Sequence, residues 1–200
     1  MNLNVGLKIE RNKGKIKMFY KLIKIIFVLC ILIYAVLIWS PNTVYADTIT
    51  GKARVIDGDT IEINNEKIRL QCIDTPESNY RGKTQYCLDN ETNCGFLAKQ
   101  ILYKIIHNKK VICKYSKRDV YGRILGMCRE YHWNIEWDYE GTLNYRLVTE
   151  GYAWWYNGGK ECKPFKEAME EAQKCGEGLW WDGFGGFKEP KLWRKTRSND

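Results

Sequence analysis

The sequence predicts a mixed α+β domain with a mainly β core, in which five short strands form a small barrel capped by three helices. Three observations lead there. Stretches of strand length and β-rich composition end at tight-turn signals, Asp57-Gly58-Asp59 and Asn64-Asn65. A further β pair brackets Asp119-Val120-Tyr121-Gly122. Three other segments read as helices, two of them stopped by a glycine, Gly151 and Gly176.

Taken in order, Thr48 to Ile56 alternates polar and apolar residues and stops at the Asp-Gly-Asp turn. Thr60 to Ile63 resumes the strand, and Lys67 to Ile73 follows the Asn-Asn turn, so the three make a meander. Thr75-Pro76 breaks the pattern, and a polar loop runs to about Asn93. Phe96, Leu97, Ile101 and Ile105 have helical spacing, which predicts a helix over Gly95 to Ile106. Val111 to Tyr115 and Arg123 to Arg129 form a hairpin. A second helix spans Leu143 to Thr149. The third begins at Pro164, a good first-turn residue, and runs to Cys175, with Phe165, Ala168, Met169 and Ala172 on one stripe. The tail at 183–200, rich in Gly, Trp and Lys/Arg, reads as irregular. There is no internal repeat or low-complexity segment.

Two hundred residues suffice for one compact domain, but the first 46 differ from the rest. They carry seven basic residues against Glu10 alone, then an uninterrupted apolar run from Ile25 to Trp39. That run of 15 residues is shorter than the roughly 20 a spanning helix needs. Ser40-Pro41-Asn42 and then Val44-Tyr45-Ala46 follow at the spacing of a signal-peptidase site. The segment 1–46 therefore reads as a secretory signal cleaved after Ala46, or as a membrane anchor through 25–39. Met18 is an alternative start that gives a leader of ordinary length. Either reading places the domain at 47–200 outside the cytoplasm.

The leader also accounts for most of the charge. The chain has 32 basic and 24 acidic residues, net +8; the leader holds seven and one, leaving 47–200 with 25 and 23, net +2. The high pI is thus no evidence for nucleic-acid binding. Distribution says more: nine basic residues and one acid lie between Lys99 and Arg129. That segment is either a phosphate-facing patch or a solvated basic face.

Seven cysteines follow the leader, with no Cys-x-x-Cys pair and only His107 and His132 in the whole chain, which argues against an ordinary zinc site. Behind an export signal they read as disulfides. Cys87 and Cys94 close the short polar loop Leu88 to Asn93. Cys113 and Cys128 fall opposite each other on a hairpin centred between Val120 and Tyr121, where facing Cα atoms lie about 4.5–5.5 Å apart. Cys162 and Cys175 flank a helix rising about 1.5 Å per residue, which holds them beyond the roughly 7 Å limit. Cys72, Cys162 and Cys175 have no assigned partner from sequence.

Some residues invite a chemical reading, each beside a plainer one. Asp57-Gly58-Asp59-Thr60 gathers carboxylates at a strand end, yet most such turns are only turns. Alternation along the strand separates Arg69 from Asp74, and Pro76 then forces a bend that returns Glu77 toward the same pocket; a surface ion-pair cluster has the same composition. Asp119-Val120-Tyr121-Gly122-Arg123 is a hairpin tip with one arginine.

Taken together, these blocks resemble the thermonuclease, or staphylococcal-nuclease-like, family. The resemblance runs through Val55-Ile56-Asp57-Gly58-Asp59-Thr60, Arg69-Leu70, Ile73-Asp74-Thr75-Pro76-Glu77, Asp119 with Tyr121-Gly122-Arg123, Asn144, Leu147-Val148, Gly151, Ala153 and Gly178-Leu179-Trp180. It covers about 50–181, and Gly183-Phe184, Pro190 and Trp193-Arg194 resemble the exported bacterial branch. The resemblance implies an OB-type barrel and a calcium-dependent endonuclease acting on DNA and RNA.

It further implies one Ca²⁺ held by the carboxylates of Asp59 and Asp74 and the backbone carbonyl of Thr75, with Asp57 orienting the site; hard oxygen donors suit this ion. Glu77 resembles the general base, and Arg69 and Arg123 the two guanidiniums that grip the phosphate. Tyr121 and Tyr156 resemble substrate-binding residues. Val120 stands where the best-known members carry a phosphate-binding Lys, with Lys117 and Arg118 nearby. The alternative is a catalytically inactive OB-fold module that binds nucleic acid; loss of Glu77, Arg69 or Arg123 would mark it, and all three are present.

Overall fold

A computed structural model of the chain describes residues 18, 20–31, 33–34, 47–132 and 137–197. The chain divides into two units, 1–44 and 45–200. In the first, the described residues 18, 20–31 and 33–34 are helical, with exposed side chains, and are labelled α1. No helix among the described residues is long and apolar enough to cross a membrane. The expected cleavage point at Val44-Tyr45-Ala46 lies outside the described residues.

The second unit is a curled sheet with helices against it. Its strands are β1 (Asp47–Lys52), β2 (Arg54–Asp57), β3 (Thr60–Ile63), β4 (Glu66–Leu70), β6 (Lys110–Arg118) and β7 (Ile124–Glu130), with the short β5 (Ile73–Asp74) and β8 (Trp154–Trp155) pairing apart from them. The order in the large sheet is β1-β6-β7-β4-β3-β2. All pairs are antiparallel except β4 with β7. The two outermost strands are successive pieces of chain separated by Ala53, so the sheet curls back on itself in an OB-like half-barrel. Two asparagines, Asn64 at φ 51° and Asn65 at φ 65°, make the β3–β4 turn, where both central residues need positive φ.

The helices are α2 (Cys94–Ile106), α3 (Leu143–Thr149), α4 (Lys163–Cys175) and α5 (Pro190–Arg197). The Asn93 side chain caps α2 by accepting from the Phe96 N–H at 2.7 Å, and Thr142 caps α3 in the same way. Helix α4 ends at Gly176, whose φ of 67° is the left-handed stop. Alternation buries Ile61 and Ile63 on β3 and Ile68 and Leu70 on β4. They join Leu102 of α2, Leu147 of α3 and Phe165 of α4 in one core.

Four expectations are corrected. The single strand Thr48–Ile56 is two, because Ala53 marks the point where the chain leaves β6 and pairs with β3 instead. The strand Lys67–Ile73 is interrupted at Cys72, whose φ of 70° no strand accommodates; beyond it Ile73 and Asp74 pair with Trp155 and Trp154. The tail is not wholly irregular. Phe187 stacks on Trp180 with centroids 4.4 Å apart and meets Trp154 edge-on, and the chain then forms α5, burying Pro190 and Trp193. Five strands and three helices thus become eight strands and, with α1, five helices among the described residues.

The disulfides Cys87–Cys94 and Cys113–Cys128 form as expected, the latter between register partners on β6 and β7. Cys72 pairs with Cys162, 90 residues away, and Cys175 is free and exposed. Helix α4 keeps Cys162 and Cys175 apart, as its length requires.

Candidate active site

The β2–β3 turn, the β4 strand and the segment after β5 meet at one end of the sheet. Gly58 makes the approach possible: a β-carbon there would stand 2.6 Å from Thr75 Oγ1. The Asp57 carboxylate accepts the N–H of Gly58 at 2.9 Å and of Ser78 at 3.2 Å, tying this turn to the loop that carries Glu77. Asp59 and Asp74 are almost fully buried, as is Thr75.

Arg69 lies on β4 opposite Thr60 and spans the two buried aspartates. Its Nη1 is 2.7 Å from Asp59 Oδ2, and its Nη2 is 2.5 Å from Asp74 Oδ1. Burial pushes the Asp59 carboxyl above its usual range; Arg69 opposes this, while Asp74 and Asp57 add to it. Burial disfavours the Arg69 cation, but the two aspartates outweigh it and hold the guanidinium charged.

Glu77 is held by its backbone. Its carbonyl accepts the Gln85 N–H at 2.9 Å, and the Gln85 carbonyl accepts the Gly95 N–H at 3.1 Å at the start of α2. Gln85 is fully buried, and its amide donates to the Lys188 carbonyl at 2.6 Å, linking this loop to the approach to α5. Burial raises the Glu77 carboxyl to about 7, and Asp59 adds to the effect against the pull of Arg194.

Arg123 closes the other side. Its Nε and Nη2 lie 2.7 Å from Asp119 Oδ2, while Asp119 Oδ1 accepts the N–H groups of Tyr121 and Arg123 at 2.9 Å. The hairpin tip is thereby fixed. Asp57, Asp59, Arg69, Glu77, Tyr121, Arg123 and Tyr156 all line one cleft of about 820 Å³. Asp74 joins it through Arg69. Tyr121 and Val120 are highly exposed at its rim, and Arg118 is engaged with Glu66.

Sequence reasoning missed Arg194. From α5 its Nη2 reaches Asp74 Oδ2 at 2.7 Å, and its Nη1 reaches Asp74 Oδ1 at 3.1 Å and also pairs with Glu77 Oε1. Trp193-Arg194 was visible as a resemblance, but nothing local in the sequence says that α5 docks here. Gln85 was missed for the same reason: its partners are backbone groups distant in the chain.

The residues can be tested against a divalent cation. Among the described residues no group of three or more His, Cys, Asp or Glu converges as a ready metal site. The implied set asks for two carboxylates, a carbonyl and water. Asp59 and Asp74 sit on the two terminal nitrogens of one guanidinium, so a cation already bridges them. The donor set fits a hard cation, provided Arg69 yields its place between them and Arg194 yields an oxygen of Asp74.

Comparison with known proteins places the chain in a family. The family model described as "Staphylococcal nuclease homologue" matches residues 67–182. An uncharacterized endonuclease of Escherichia coli is 30% identical over 165 residues, covering 80% of this chain and 94% of that protein. An uncharacterized endonuclease of Haemophilus influenzae is 29% identical over 147 residues, 71% of this chain and 70% of that one. The succinoglycan biosynthesis protein ExoI of Rhizobium meliloti is 35% identical over 100 residues, 48% of this chain, which spans half of that protein's length. The chain belongs to the staphylococcal nuclease homologue family.

Proposed function

We infer that this protein is a calcium-dependent endonuclease that hydrolyses phosphodiester bonds in DNA and RNA. One observation carries the reading: two arginines, Arg69 and Arg194, gather the carboxylates of Asp59, Asp74 and Glu77 at a cleft that Arg123 also lines. Membership in the family and the names of the Escherichia coli and Haemophilus influenzae relatives support it.

Asp59, Asp74 and the Thr75 carbonyl would hold Ca²⁺, with Asp57 orienting them. When bound, the ion supplies Lewis-acid polarisation of the phosphate. The Glu77 carboxylate takes a proton from a water whose oxygen bonds to phosphorus. The opposite P–O ester bond breaks, and its oxygen leaves to be protonated by solvent. Arg69 and Arg123 donate to the phosphate oxygens as charge builds on them, and their planar forks suit two oxygens at once. Tyr121 and Tyr156 flank the substrate at the rim.

Export, by cleavage after Ala46 or by an anchor at 25–39, completes the reading, and three disulfides support an oxidising compartment. The test is digestion of plasmid DNA and of RNA by the oxidatively folded protein, with Ca²⁺ and then with chelator. Cleavage that needs the ion is expected. No cleavage of either polymer under any metal condition, from a folded protein, overturns the assignment.

A further inference from the structure

Helix α5 is amphipathic in a specific way. Pro190 and Trp193 are buried on one side, while Lys191, Arg194 and Lys195, at i, i+3 and i+4, line the cleft on the other. Trp193 meets Tyr80 edge-on, and Arg194 ties the helix to Asp74 and Glu77, so its position is fixed from both sides. The β6–β7 hairpin adds Arg118, Tyr121 and Arg123 to the lining of the same cleft. The lining thus joins the acids Asp57, Asp59 and Glu77 to cations of α5 and of the hairpin, where Arg123 pairs with Asp119 and Arg118 with Glu66.

The helix dipole accounts for part of this charge only. Arg194, Lys195 and Arg197 lie in the last turn, where cations are favoured. Lys191 lies in the first turn, where the dipole opposes a cation, and no acid accompanies it there. Its ammonium sits over the Tyr156 ring, 5.6 Å from the centroid, at the mouth of the same cleft. A lysine at a disfavoured position, held against an aromatic ring at the site entrance, suits a ligand that offers both phosphate and a flat base.

We propose that α5 is part of the substrate-binding surface, on which Lys191 and Lys195 hold backbone phosphates next to the one being cut while the buried Trp193, against Tyr80, anchors the helix. The partner is the polynucleotide strand beyond the scissile bond. This rests on the nuclease reading above and extends it from one phosphate to its neighbours.

The test measures binding of a fluorescein-labelled 12-nucleotide DNA single strand to the full chain at several salt concentrations with Ca²⁺, in a Glu77→Gln background to prevent cleavage. Lys191→Ala/Lys195→Ala is compared with Lys166→Ala/Lys174→Ala, exposed lysines on α4. Each phosphate contact to a single strand contributes about 0.7 to the slope of log affinity against log salt, so the α5 pair should flatten it by about 1.4 and the α4 pair should leave it unchanged. In the Glu77 parent, the same α5 pair should raise KM for the 12-nucleotide strand several-fold and leave KM for a dinucleotide as it was. A slope and KM equal to those of the α4 control, in a protein that still binds and cleaves, overturn the role of α5 alone. A parent that neither binds nor cleaves overturns the nuclease reading with it. If the α5 pair instead abolishes binding to vesicles containing phosphatidylserine and spares the oligonucleotide, the helix serves a membrane surface and the proposal falls.

Discussion

Gly95 stands directly behind Glu77: a β-carbon at position 95 would lie 2.0 Å from the Glu77 carbonyl oxygen. The first turn of α2 is therefore packed onto the backbone that presents the proposed base, with Gln85 hydrogen-bonded between the two. Gly95→Ala must push this loop away. Stability should fall by about 1–3 kcal/mol, the usual cost of overpacking, and turnover should fall further than stability explains. Denaturant midpoints measured beside kcat check this; a variant with unchanged kcat would show that the loop's position is immaterial.

Two substitutions separate base from clamp. Glu77→Gln keeps shape and removes the proton acceptor, so kcat should drop by about 10²–10⁴-fold while binding persists. Arg123→Lys keeps charge but loses the fork, and should also be badly impaired. Rates on single-stranded DNA with Ca²⁺ decide the matter. Parental rates from both folded variants would refute the proposed site.

Burial raises the carboxyl of Glu77 from the 4.5 of an ordinary glutamate to about 7. Between those values the folded state keeps a proton that the unfolded chain releases. This group's stabilising contribution is thus complete below about 4.5 and lost as pH rises through about 7, on the order of a few kcal/mol. With chelator present, thermal midpoints should decline from pH 5 to 7.5 more steeply for the parent than for Glu77→Gln. Parallel curves would show that Glu77 is not the group concerned.

Cys72–Cys162 joins the end of the β4 strand to the start of α4 across 90 residues. Closing a loop of that length removes about 4–5 kcal/mol of unfolded-state entropy in the simplest treatment. Cys72→Ser/Cys162→Ser should lose a large part of that, more than the double serine variant of Cys87 and Cys94, whose loop spans seven residues. Non-reducing peptide mapping should recover the 72–162 link and leave Cys175 alkylatable.

Val120 is 93% exposed at the cleft rim. Val120→Lys places a cation there without disturbing any packing, so KM for DNA should fall modestly and more at low salt. A KM independent of this change at low salt would show that the tip does not meet the substrate.

The sequence alone determined whatever depends on neighbours along the chain. The Asp57-Gly58-Asp59 and Asn64-Asn65 turns, the hairpin that faces Cys113 with Cys128, and the extents of α2 to α4 follow from local periodicity and stop signals. A resemblance in several ordered blocks names Asp57, Asp59, Arg69, Glu77 and Arg123 without coordinates, and all five line one cleft. Only the tertiary structure decided what rests on distant partners. Cys72 finds Cys162 because its positive φ ends the strand and turns it toward α4. Arg194 enters the site across 117 residues because Trp193 and the Phe187–Trp180 stack bury the tail against the domain. An eight-residue helix has too few turns to announce its face in a sequence, and a guanidinium finds its carboxylates only when packing has brought them together.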